Sequence, residues 1–289
     1  MRKKKRDDGN TMGSAEPDRE SSSCPGAGVR RVARSLLLMA GICLMAGWVV
    51  PSCASAEGID PEADRVLRSM SAYLGGLRAF SVDADIDSEH IDTNGQKLQL
   101  SSFASLVAER PGNLYLYRWG VFADMELIFN GRLMTLYSKD RNAYLQVDSP
   151  GGIDDAIETF RGDLGFDAPG ADLLYADSYS GMIEGVQSST YFGIVYVNGL
   201  ECHYLAFREA DVDWQLWVQT GDTPFPVKYV ITTKWITGAP QYSVRFYNWN
   251  AAPVIKAGRF SFSPPKGVRK MASVHVNVVG EAMLTEEVQ

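Results

Sequence analysis

Cysteine and histidine are scarce in this chain, and each scarcity closes off a branch of chemistry. There are four cysteines. Cys24, Cys43 and Cys53 precede the expected mature start, which leaves Cys202 without an intramolecular disulfide partner. His90, His203 and His275 are too few and too scattered for a metal centre, and no H-E-x-x-H, Walker or dinucleotide-binding spacing occurs. Neither a metal nor a cofactor is expected. Basic charge is also short, with 28 Lys and Arg against 35 Asp and Glu. Nucleic acid is excluded as a partner, because counterion release needs a basic stripe. Uncharged apolar runs long enough to approach a membrane span are missing after residue 50, so no transmembrane segment is expected in the mature chain.

The one such run, Leu36–Val50, follows Arg30, Arg31 and Arg34 and leads to Ala54-Ser55-Ala56. This is the order of an export signal, basic then apolar then small-x-small, and it places cleavage between Ala56 and Glu57. A lipoprotein signal with Cys53 acylated stays open as the alternative, against which stands Pro51 beside the cut. Residues 1–29, charged and rich in Ser and Gly, read as a disordered or overextended start, and 30–56 as the signal. Removal of 1–56 leaves 19 basic against 30 acidic residues. The exported chain is acidic, and its length suits one large β-rich domain over 57–270 with a tail over 271–289.

Asp211–Trp249 is the most strongly patterned stretch, three alternating runs divided by Gly221-Asp222 and Gly238-Ala239-Pro240. Trp214, Leu216 and Val218 share one face of the first run. Val227, Tyr229, Ile231, Thr233 and Trp235 share one face of the second, and Tyr242, Val244 and Phe246 one face of the third. Trp217, Tyr247 and Trp249 fall on the opposite parity. Connections this short fold strands back as an antiparallel meander with one apolar face. Upstream, Phe80, Val82, Ala84 and Ile86 alternate with Ser81, Asp83, Asp85 and Asp87. Asn94-Gly95, Asn130-Gly131 and Asn198-Gly199 each mark a two-residue hairpin turn with positive φ at both centres. About six strands are expected before residue 150 and five or more after 189, with Phe260-Ser261-Phe262 as a late edge strand and a further strand over 274–278.

Helical spacing appears in three places. Asp60-Pro61-Glu62 caps a first helix carrying Ala63, Val66, Leu67, Met70 and Leu74, which Gly75-Gly76 ends in a left-handed turn. Ile153, Ala156, Ile157, Phe160 and Leu164 make a second helix, and Ala171, Leu174, Ser178, Met182 and Ile183 a third. The expected fold is α+β, a strongly curved antiparallel sheet of about eleven strands forming an open, incomplete β-barrel covered or plugged by helices.

No catalytic constellation stands out. Cys202 and His203 are strand neighbours and point to opposite faces, so they cannot pair with each other. Ser263-Pro264-Pro265-Lys266 matches S-x-x-K by letter, but two prolines prevent the helical turn that the motif needs. Asp83, Asp85 and Asp87 share one face without a glycine-containing calcium loop and read as a solvated outer surface.

Ile59-Asp60-Pro61-Glu62-Ala63, Ala171-Asp172-Leu173-Leu174, Asp211–Trp217, Ile231-Thr232-Thr233-Lys234, Gly238–Tyr242 and the Phe260-Ser261-Phe262 ending resemble a family of predicted periplasmic proteins within the LolA-like superfamily. The resemblance covers roughly 58–270. It implies an exported, non-enzymatic periplasmic protein with the open barrel of LolA, LolB and RseB, whose hollow binds acyl chains. On that fold Val66, Met70, Trp214, Leu216, Tyr229, Ile231, Tyr242, Val244 and Phe246 converge on one apolar interior. They are the candidate lining of a cavity for a lipid, acyl chain or lipoprotein, and Leu216→Trp is expected to close it. The alternative is a scaffold with a filled core that binds another envelope protein through its sheet edge or outer aromatics.

Overall fold

The computed structural model describes residues 58–276 and 282–285. The expected signal over 30–56, its Ala56–Glu57 cut, Cys53, residues 1–29 and parts of the tail lie outside the described residues. Asp60 caps α1 (Pro61–Gly76) through Oδ1, which accepts from the amides of Glu62 and Ala63. Six strands follow: β1 (Ala79–Ile91), β2 (Lys97–Glu109), β3 (Asn113–Gly120), β4 (Asp124–Asn130), β5 (Leu133–Ser138) and β6 (Ala143–Asp148). A covering segment comes next. It holds α2 (Ile153–Glu158), a π-helical turn (Thr159–Asp163), a 3-10 turn (Ala171–Leu174) and α3 (Ser178–Ile183). The second half adds β7 (Ser188–Val197), β8 (Leu200–Arg208), β9 (Val212–Gln219), β10 (Pro226–Thr233) and β11 (Gln241–Asn250), then β12 (Arg269–Lys270), β13 (Ser273–Val276) and β14 (Ala282–Thr285).

Twelve strands form one sheet in the order β12-β6-β5-β4-β3-β2-β1-β11-β10-β9-β8-β7, antiparallel except where β12 meets β6. The two halves join through β1 and β11, with Ala84 opposite Phe246 and Ile86 opposite Val244. β7 and β12 end the sheet without pairing to each other, so the barrel is open. α1 covers the β7–β11 side, and α2 with the π-turn covers β1–β6, giving two apolar clusters on one concave face. β13 and β14 make a separate two-stranded ribbon.

Several local expectations are corrected. Only Asn198-Gly199 makes the two-residue turn with positive φ at both centres, at 52° and 81°. At Asn94-Gly95 the loop spans 92–96, because the Asp92 carboxylate accepts from the amides of Asn94 and Gln96. At Asn130-Gly131 the turn residues are Gly131-Arg132, with Asn130 Oδ1 accepting from the amides of Arg132 and Leu133. Gly75 does not end α1 in a left-handed turn. A Cβ there would lie 2.2 Å from the carbonyl oxygen of Ala176, so glycine serves close approach of the cover. The third helix is broken at Tyr175, whose ψ of 149° separates the 3-10 turn from α3. Phe260–Phe262 is not a strand: Ser261 donates to the Gly258 carbonyl in a turn, and the Phe262 ring rests on Tyr137 and Tyr144. Trp235 lies beyond the end of β10 and is exposed, off the apolar face.

Trp249 carries the most consequential correction. Between Asp83 opposite Tyr247 and Ser81 opposite Asn250, β11 holds one more residue than β1, and Asn248 takes a φ of 55° to fit it. This bulge reverses the alternation. Trp249 therefore turns inward, stacking on Phe225 at 4.6 Å and touching Phe80 and Phe246 at 5.9 Å, while its indole N–H donates to the Pro226 carbonyl at 2.9 Å. It touches both clusters. Trp217 and Tyr247 stay on the outer face as the alternation requires.

Candidate functional site

The concave face gathers all nine candidate residues, though not equally. Alternation puts Trp214 and Leu216 of β9, Tyr229 and Ile231 of β10, and Tyr242, Val244 and Phe246 of β11 on one side, and the register aligns them, with Ile231 opposite both Trp214 and Tyr242. Val66 and Met70 descend on them from α1. Val66, Met70, Trp214, Leu216, Tyr229 and Val244 are buried in one cluster, while Ile231, Tyr242 and Phe246 remain partly exposed at its margin. Met70 and Leu216 have 0% accessible surface. A side chain with none borders no void wide enough for a water molecule, so the space beneath α1 at these residues is filled.

The margin is covered by irregular backbone. The π-turn, the loop 164–170 and the 3-10 turn bring Gly170, at φ 85°, to a position from which a Cβ would sit 3.9 Å from both the Tyr229 and Tyr242 rings. Arg161 holds this cover together, donating to the Ala168 carbonyl at 3.0 Å, the Asp172 carboxylate at 2.8 Å and the Tyr175 hydroxyl at 3.2 Å. Tyr175 in turn donates to the Glu158 carboxylate, and burial together with that carboxylate pushes its pKa up to about 12. Beside the loop lies a surface cleft of about 360 Å³ lined by Arg161, Gly165, Phe166, Asp167, Ala168 and Pro169.

Polar groups at this margin had no signal in the sequence. Asp172 pairs with Arg161. Glu209, in the β8–β9 turn, accepts from the Trp214 indole at 2.7 Å, and burial raises its pKa despite that bond. The Tyr229 hydroxyl makes no hydrogen bond among the described residues. Its pKa is pushed far up by burial first and then by the Asp172 and Glu209 carboxylates. These pairings run across turns and irregular backbone and leave no periodic trace.

Outside this region the residues weighed for chemistry are otherwise engaged. Cys202 is fully buried, and burial pushes its thiol up to about 11. His203 Nδ1 meets the Tyr191 hydroxyl at 2.9 Å, on the face away from Cys202. Asp83 accepts from Asn248, Asp85 from Tyr247 and Asp87 from Ser101, all on the outer surface. Among the described residues no group of three or more metal-ligating side chains comes together, and no helix is long and apolar enough to cross a membrane.

These features define an open antiparallel barrel with a helix-filled concavity and an irregularly covered apolar margin. The chain belongs to the family described as Predicted periplasmic protein (DUF2092), whose pattern it matches over residues 63–273. It is a protein of the periplasm. No curated protein matches the sequence. Among solved structures it is similar to an uncharacterized conserved protein from Thermus thermophilus, at 9% identity over 73% of this chain and 98% of that one, with a TM-score of 0.45. LprF from Mycobacterium bovis is similar at 17% identity, 68% and 96% coverage and a TM-score of 0.44. A LolA superfamily protein from Nitrosomonas europaea is similar at 8% identity, 69% and 97% coverage and a TM-score of 0.36.

Proposed function

We propose that this envelope protein carries or senses an amphipathic ligand with one acyl chain, held between the margin of the concave face and the cover over 159–174. The observation that carries the reading is the cover itself. It meets Tyr229 and Tyr242 through a glycine and adjoins an open surface cleft of about 360 Å³. Ile231, Tyr242 and Phe246 are only partly buried at the edge of the cluster in which Met70 and Leu216 are closed off. The ligand therefore enters beside the loop 164–170, not beneath α1. About ten methylenes, at about 0.8 kcal/mol each, supply about 8 kcal/mol, the equivalent of micromolar affinity before the cost of association is subtracted.

The filled interior beneath α1 favours a second reading, a scaffold that holds no ligand. Lipid extraction and native mass spectrometry of protein purified from the envelope, then titration with a fluorescent fatty acid, separate the two. A carrier yields co-purified lipid and saturable uptake that Ala168→Trp, which fills the cleft without touching the core, reduces. Absence of lipid together with non-saturable uptake, identical in Ala168→Trp, leaves the scaffold.

A further inference from the structure

β7 is an edge of the sheet, and among the described residues only its first half is covered. Gly58 bridges Ser188 in parallel and accepts from the Ser189 amide, the Ser189 hydroxyl accepts from the Asp60 amide, and Asp60 Oδ2 accepts from the Tyr191 amide at 3.1 Å. α1 begins one residue after Asp60 and ends this pairing. On the side away from β8, no described strand lies beside Phe192–Val197. Edge strands are ordinarily protected by charge or proline, yet residues 188–200 contain neither. Phe192, Ile194 and Tyr196 are 58%, 57% and 70% exposed.

The outer face adds a direction to this edge. Lys228 of β10 lies 4.8 Å from the ring centre of Trp217 on β9, Trp217 stacks on Tyr204 of β8 at 4.6 Å with 5° between planes, and Tyr204 stacks on Phe192 at 4.8 Å. These steps match the spacing between neighbouring strands. The row thus advances one ring per strand and stops at the exposed ring of Phe192. A bulge, Phe192 and Gly193 against Tyr204, sets Ile194 and Tyr196 on the other face, where Tyr196 donates to Glu201.

We infer that the free half of β7 is a docking edge for an extended segment of another protein, uncharged or basic, with an aromatic side chain that continues the outer row beyond Phe192. Backbone hydrogen bonds along 192–197 supply the pairing and the row supplies selectivity. The acidic charge of the chain, with 35 acidic against 28 basic residues, favours a partner that is not acidic. In neither of two antiparallel self-pairings does a second copy of this chain continue the row. Antiparallel self-pairing with Phe192 opposite its counterpart would set residues 193–197 against 191–187 of the other copy, where Gly58–Asp60 already cover the edge. Pairing centred between Ile194 and Val195 would place Phe192 opposite Val197 and leave the row unextended.

The test uses protein exported as the full chain and purified from the periplasm. It is titrated with a fluorescein-labelled peptide of about eight residues, alternating threonine and valine around one phenylalanine with a lysine at each end. A serine-for-phenylalanine twin and a glutamate-ended twin are run beside it. The phenylalanine peptide is expected to bind about fivefold more tightly than the serine twin, the worth of one aromatic pair, and more tightly than the acidic twin. It protects amides 192–197 from exchange. Phe192→Ala removes the preference for phenylalanine, and Ile194→Lys weakens every peptide; Ile194→Lys leaves the melting temperature unchanged, and Phe192→Ala, which gives up the stack on Tyr204, lowers it by only about 2–4 °C. Equal binding of the phenylalanine and serine peptides, indifference to Phe192→Ala, or no binding overturns the inference. A dimer in sedimentation that Ile194→Lys dissociates overturns it too, by giving the edge to a second copy.

Discussion

Replacement of Trp249 tests how the two halves of the core are joined. The indole stacks on Phe225, touches Phe80 and Phe246, and donates to the carbonyl of buried Pro226. A buried Trp→Ala change costs about 3–5 kcal/mol, and the partial exposure of Trp249 places it near about 3 kcal/mol. For a domain of this size that lowers the melting temperature by about 9 °C. Trp249→Phe keeps a ring against Phe225 but removes the donor to Pro226, so it loses about 1 kcal/mol. Asn248 supplies the control. Asn248→Gly keeps the positive φ and changes little, whereas Asn248→Val opposes the left-handed conformation by about 1–2 kcal/mol and destabilises without touching the indole. Urea unfolding followed by circular dichroism measures all four. A loss below about 1 kcal/mol for Trp249→Ala, or equal losses for the Ala and Phe variants, refutes the bridging role.

Leu216→Trp overpacks a filled site and is expected to destabilise by about 1–3 kcal/mol, seen as a lower urea midpoint, with no change in probe uptake at the margin. Cys202 in the folded protein resists iodoacetamide at pH 8, where the unfolded chain reacts. Because folding raises its pKa from 9.0 to about 11, its contribution to stability is full below about pH 9 and is lost as pH rises through about 11. Cys202→Ala should therefore flatten that part of the stability profile by up to about 2 kcal/mol. At Asp60, burial acts to raise the pKa, but the amides of Tyr191, Glu62 and Ala63 outweigh it and hold the carboxyl below 3.8. Asp60→Ala is expected to cost about 1–2 kcal/mol at pH 7, and the gap from wild type should close as pH falls through the depressed folded-state value, read by thermal melts in an acid series.

The alternating runs and the helical spacing of Ala63–Leu74 were enough to determine an antiparallel sheet with an apolar face and a helix to cover it. Burial of that face demands a period that shows in one dimension, and the seven sheet residues and the two of α1 that meet them follow from it. Which of them stay reachable was decided elsewhere. Met70 and Leu216 are sealed beneath α1 while Ile231, Tyr242 and Phe246 are only partly buried, and the cover over 159–174 runs from π-turn to coil to 3-10 turn under restraints such as Arg161 on Ala168 and Asp172. Those partners lie on different turns of the cover and leave no pattern in the chain. Trp249 shows the same division: its parity predicts the outer face, and one extra residue at Asn248, a matter of register against β1, sends it into the core. Alternation is a property of a single strand and can be read from sequence. Register, bulges and the fit of a cover over a sheet depend on pairs of distant segments, and only the tertiary structure decided them.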